Sequence, residues 1–93
     1  MPTIIEKISK AAKHVYALDP DRPEALKSLS LLHALKGDNE EAVGLSQRAL
    51  AMNPYDADAA QLLGGLYMLL AEWEKSIKYY LMAIEIDPIM KKQ

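Results

Sequence analysis

Apolar residues recur three and four apart along most of this chain, and the recurrence is interrupted at regular places. Over 57–71, Leu62, Leu63, Leu66, Tyr67, Leu69 and Leu70 make one broad stripe; over 73–86, Ile77, Tyr80, Leu81 and Ile84 make another. This is the spacing of helices with one face in a core. The punctuation fits. Thr3 with Glu6 and Asp38 with Glu41 read as capping boxes. Pro23 suits a first helical position and Asp56 an N-cap, whereas Arg22 caps poorly. Gly37 supplies the left-handed residue that closes a helix. Pro20, Pro54 and Pro88 stop helices by restricting the preceding residue and lacking an N–H. Five helices are expected, at about 4–18, 23–36, 39–52, 57–71 and 73–87.

The prolines of Asp19-Pro20, Asn53-Pro54 and Asp87-Pro88 are each 34 residues apart. The register extends further. Setting 23–56 against 57–90 aligns Ala25 with Ala59, Leu29 with Leu63, Leu32 with Leu66, Leu35 with Leu69 and Ala49 with Ala83. Ile8, Ala12, Val15 and Leu18 fall opposite Ala42, Ser46, Ala49 and Met52. The expectation is one domain over 1–93: a half repeat at 1–22, full repeats at 23–56 and 57–90, and a tail at 91–93. Its fold class is an all-α superhelical solenoid of five antiparallel helices.

On these residues the chain resembles the tetratricopeptide repeat family. The second unit carries Leu63-Gly64, Tyr67, Trp73, Ser76, Tyr80, Ala83 and Pro88; the first keeps Leu29, Gly37, Ala42, Ala49 and Pro54. Ser30, His33 and Ser46 replace the family's glycine, tyrosine and large aromatic, which is expected to loosen the first unit. The resemblance implies a protein-interaction module with a concave groove lined by the first helix of each unit. Glu24, Lys27, Ser28, Leu31, Ala34 and Leu35 fall at lining positions of the first unit. Asp58, Gln61, Leu62, Gly65, Met68 and Leu69 do so in the second. Lys27, Leu31, Leu35, Asp58, Gln61, Leu62, Met68 and Leu69 are the candidate peptide-binding residues. Leu31 and Leu62 stand where carboxylate-clamping members have asparagine, and Asp58 would repel a carboxylate, so a chaperone tail is not the expected ligand.

Composition narrows the chemistry. There is no cysteine, and the net charge of −2 comes from interspersed signs. No basic face with interleaved aromatics marks a nucleic-acid surface. No apolar run approaches a membrane span, and no signal peptide is evident, so a cytoplasmic location is expected. His14 and His33 lie on different helices without a companion ligand set. There is no nucleophile elbow or phosphate loop, and Gly64-Gly65 sits within a helix, where close packing explains it. Neither catalysis, cofactor nor metal is expected.

The two ends differ. Ile4, Ile8, Ala12, Val15 and Leu18 are expected to cover the first hairpin, leaving Glu6, Lys7, Lys10 and Lys13 to water. Trp73, Ile77, Leu81 and Ile84, with an outward Tyr79, are expected to form an uncovered face suited to self-association; Tyr80 is expected in the core. A homo-oligomer, docking of another domain there, or a segment of a longer array would equally account for that face.

Overall fold

The computed structural model describes residues 3–88; the expected tail at 91–93 and positions 89–90 of the second unit lie outside the described residues. The helices are α1 (Ile4–Leu18), α2 (Pro23–Leu35), α3 (Asn39–Met52), α4 (Ala57–Leu69) and α5 (Trp73–Ile86). Each packs chiefly on its chain neighbours, so two antiparallel hairpins, α2–α3 and α4–α5, stack behind α1 in a body of 40 × 26 × 24 Å. It is an all-helical superhelical solenoid, as the pattern predicts.

Local chemistry sets the boundaries. Thr3 Oγ1 accepts the Glu6 N–H at 3.1 Å, and Asp56 Oδ1 accepts the Ala59 N–H at 3.1 Å. Arg22 makes no side-chain cap, and Pro23 opens α2 instead. Asp38 occupies the N-cap of α3 without capping it; its carboxylate lies 3.5 Å from His33 Nδ1. The Arg22 N–H bonds to Asp19 O and the Asp56 N–H to Asn53 O, closing two turns with proline second, the position its fixed φ favours.

The ends of α2 and α4 show what the pattern alone hides. Gly37 has φ +86°, and the Asp38 N–H reaches back to His33 O at 2.8 Å. Thirty-four residues on, Ala71 takes φ +59°, and the Glu72 N–H reaches back to Tyr67 O at 2.9 Å. Both are Schellman closures satisfying orphan carbonyls. Ala71 does it without glycine's freedom, against a cost of about 1–2 kcal/mol for an L-residue. α4 therefore ends at Leu69, two residues before the expected end at 71.

Leu26, Leu45, Ala49 and Ala59 form a buried cluster joining the hairpins, with Tyr16, Leu29 and Leu50 against it. Ala25, Ala42, Ala60 and Ala83 are also buried, and their small side chains allow close helix approach.

Within each hairpin a serine hydroxyl crosses between helices, in opposite directions. In the first, Ser30 Oγ on α2 donates to Ala42 O on α3 at 2.7 Å. In the second, Ser76 Oγ on α5 donates to Gly64 O on α4 at 2.8 Å. Ser30 and Gly64 are repeat equivalents, as are Ala42 and Ser76. Ser30 also touches Ser46 hydroxyl to hydroxyl, both fully buried. The first unit is thus tight where the substitutions suggest looseness, because a buried hydrogen bond fills the place of a ring.

α1 departs from expectation. Only Ser9 and Ala12 are buried, while Ile4, Ile8, Val15 and Leu18 stay exposed. Ile8 and Val15 hold the register of Ser76 and Ala83, which pack on the first helix of their own hairpin. Among the described residues no helix precedes α1, so that face is bare, and α1 meets α2 through Ser9, Ala12 and Tyr16.

Candidate functional site

Two first helices, α2 and α4, lie side by side through the stacking of their hairpins. Between them is an open hollow of about 530 Å³. Leu31 and Ala34 come from α2; Asp58, Gln61, Leu62, Gly65, Leu66, Met68 and Leu69 from α4; Tyr80 reaches in from α5. Of the predicted groove residues, Leu31, Asp58, Gln61, Leu62, Met68 and Leu69 come together here. Leu31, Met68 and Leu69 are exposed, with Leu69 at 65%.

Lys27 and Leu35 do not line it. Lys27 Nζ donates to Asp56 Oδ2 at 2.7 Å, so its charge is neutralised at the joint between hairpins. Leu35 is half exposed at the end of α2. Tyr80 and Leu66 are additions. The register predicts Tyr80 in the core; the structure leaves its ring half-buried, against Gly64, with its hydroxyl close to Gly65. The paired glycines were the available signal, since small residues there admit a ring to the hollow.

Asp56 shows how the site is held. Burial alone would raise its pKa, but the Lys27 hydrogen bond, the Ala59 N–H, the Lys27 charge and the Asp58 N–H outweigh it, and the carboxyl lies below its ordinary value of 3.8. Cap and ion pair together fix the start of α4, and hence Asp58 and Gln61, relative to α2.

The predicted self-association residues divide. Trp73, Ile77 and Leu81 are 60%, 59% and 57% exposed, one turn apart on α5. Ile84 is half-buried. Tyr79 does not belong to that face. Two residues beyond Ile77, it points to another side of the helix and stacks on Tyr67, ring centroids 5.6 Å apart. Tyr67 is a junction: its hydroxyl accepts from Gln47 Nε2 at 2.7 Å, and Lys75 lies 5.3 Å from its ring centroid.

His14 is exposed, and His33 is half-buried at the α2–α3 turn. Among the described residues no group of three or more histidines and carboxylates is placed to hold a metal ion, and no helix is long and apolar enough to cross a membrane.

Residues 59–93 match the family model for the tetratricopeptide repeat. That match covers the second hairpin and the residues after it; with the paired helices and their 34-residue register, the chain has a helical repeat fold similar to that of the tetratricopeptide repeat. It is 36% identical over 72 residues to a pentatricopeptide repeat-containing protein from Arabidopsis thaliana, a match covering 75% of this chain and 8% of that protein. The crystal structure of MamA shares the fold, with a TM-score of 0.78 at 20% identity, over 97% of this chain and 54% of the other. The chain thus spans a small part of the curated relative and about half of the structural one.

Proposed function

We propose that the chain is a non-catalytic interaction module that binds a peptide or an exposed segment of a protein in the hollow between α2 and α4. Residues 23–56 and 57–90 act as its two repeat units and 1–22 as a half unit. One observation carries this reading: Leu31, Met68 and Leu69 stay exposed around a shared concave surface, beside the polar heads of Asp58 and Gln61. A few polar groups set among apolar walls orient a ligand while the walls supply affinity. Met68 adapts to varied side chains. The pairing of Lys27 with Asp56 leaves no lysine or arginine on the lining, which favours a peptide over a phosphate backbone and argues against a carboxylate clamp.

A screen of arrayed short peptides, with hits titrated into isotope-labelled protein, tests it. Amide shifts at Leu31, Leu62, Met68 and Leu69, and loss of binding in Leu31→Glu with Leu69→Glu, are the expected results. Shifts confined to α3 and the outer side of α5 would overturn the groove reading. A second reading, self-association, is favoured by the exposed Trp73, Ile77 and Leu81.

A further inference from the structure

Two apolar stripes lie bare at opposite ends of this molecule. On α5, Trp73, Ile77 and Leu81 follow one another at four-residue steps, each more than half exposed. On α1, Ile4 and Leu18 are both 73% exposed, with Ile8 and Val15 between them. Each stripe runs roughly 12–21 Å along its helix at 1.5 Å per residue. α1 packs on α2 and α5 on α4, so within one copy the stripes face away from each other. Contiguous apolar surface of this kind marks an interaction site.

The charges beside the stripes select the pairing. Glu74 and Glu85, next in sequence to Trp73 and Ile84, have no ion-pair partner among the described residues. Lys7 and Lys10 on α1 have none either, and with Lys13, Lys36 and the single carboxylate of Glu6 they line a shared hollow. Lys78 on α5 and Glu6 on α1 offset these in part. The α5 flank of Glu74, Lys78 and Glu85 nonetheless stays net negative, and the α1 flank of Glu6, Lys7, Lys10 and Lys13 net positive. Two α5 faces or two α1 faces would set like net charges together. α1 against α5 sets opposite net charges together, the stripe of about 12 Å on α5 lying within the stripe of about 21 Å on α1.

We propose that the protein associates head to tail, with the α1 stripe of one copy seated on the α5 stripe of the next. The interface is heterologous, so association extends into a chain or closes into a ring. Each stripe is small beside a standard interface, so the association is weak and concentration-dependent. It uses neither α2 nor the hollow, and stands independently of the groove reading.

Two blocked variants test it. Ile4→Glu with Leu18→Glu removes the head, and Trp73→Glu with Ile77→Glu removes the tail; all four residues are more than half exposed, and far-ultraviolet circular dichroism checks the fold. The wild type should gain mass with concentration in sedimentation. Each variant alone should be a monomer, and their equimolar mixture should reach twice the 10.4 kDa of one chain. Trp73 is the only tryptophan, so in the mixture the emission comes from the head-blocked copy alone and should shift to the blue on pairing. Adding Glu74→Lys with Glu85→Lys to the head-blocked copy should weaken pairing about tenfold, and Lys7→Glu with Lys10→Glu on the tail-blocked copy should restore it. A monomeric wild type, a mixture that stays monomeric, or a tail-blocked variant that still self-associates would overturn the proposal. An affinity indifferent to the charge exchange would overturn the pairing of these two faces. Binding of the wild type to vesicles of acidic lipid, with no dimer in the mixture, would overturn it and reassign α1 to a membrane surface.

Discussion

The ring of Tyr80 lies so close over Gly64 that a β-carbon there would fall 2.9 Å from ring atoms Cδ2 and Cγ. That contact brings α5 against α4 and floors the hollow. Alanine's better helix propensity recovers about 1 kcal/mol, but the contact falls on Cγ, next to the α5 backbone rather than at the free end of the side chain, and such overpacking costs about 1–3 kcal/mol. Gly64→Ala is expected to destabilise, read as a lower urea midpoint. Gly44, also helical, has nothing within 4 Å of an added β-carbon. Gly44→Ala should raise the midpoint, by about 0.5–1 kcal/mol of stability.

The first hairpin solves the same contact differently, with Ser30 and Ser46 in the places of Gly64 and Tyr80. Ser46→Tyr alone should destabilise, because the ring meets the Ser30 side chain. Ser30→Gly with Ser46→Tyr should recover much of the loss. Denaturation of the wild type, both single variants and the pair is expected to give a coupling of about 0.5–3 kcal/mol. Simple additivity would mean that the two positions do not form one unit.

Ala71 holds a left-handed conformation that glycine holds at the equivalent Gly37. Ala71→Gly should stabilise by up to about 1 kcal/mol, the strain of about 1–2 kcal/mol being partly offset by glycine's unfolded-state entropy. Gly37→Ala should destabilise by a similar amount. Thermal melts of the pair are sufficient.

The bond between Lys27 and Asp56 makes stability depend on pH. The folded carboxyl titrates below 3.8, so its contribution is complete above that value and is lost as pH falls through the lowered folded one. Asp56→Asn keeps a side chain able to cap α4 and removes the charge. The wild type should exceed this variant in stability at neutral pH, with the difference shrinking below pH 3.8. Asp56→Ala, losing the cap as well, should cost about 1–2 kcal/mol at neutral pH. Urea melts across acidic pH check both.

Much of this was legible in the chain. The prolines, Gly37 and the three-and-four spacing place five helices to within two residues, and most candidate groove residues do share one hollow. What escaped depends on more than local pattern. Ala71 ends a helix with a residue that carries no stop signal. Lys27 reads as a groove cation until Asp56, 29 residues on, is seen to neutralise it. Tyr79 and Tyr80 trade roles because α4 presents Tyr67 to one and glycines to the other. The stripe of α1 is clear in sequence, but which side faces α2 depends on packing, and Ser9, Ala12 and Tyr16 win because they hold the register that meets a following hairpin.

The opposed serine bonds also bear on a hazard of modular chains, in which similar segments exchange partners during folding. Were α2 to mate with α5, the Ser30 side chain would confront the Tyr80 ring. Were α4 to mate with α3, Gly64 and Ser46 would leave a void between them. Each hairpin thus carries its own key, and misassembly between modules is penalised by shape before any loop constrains it.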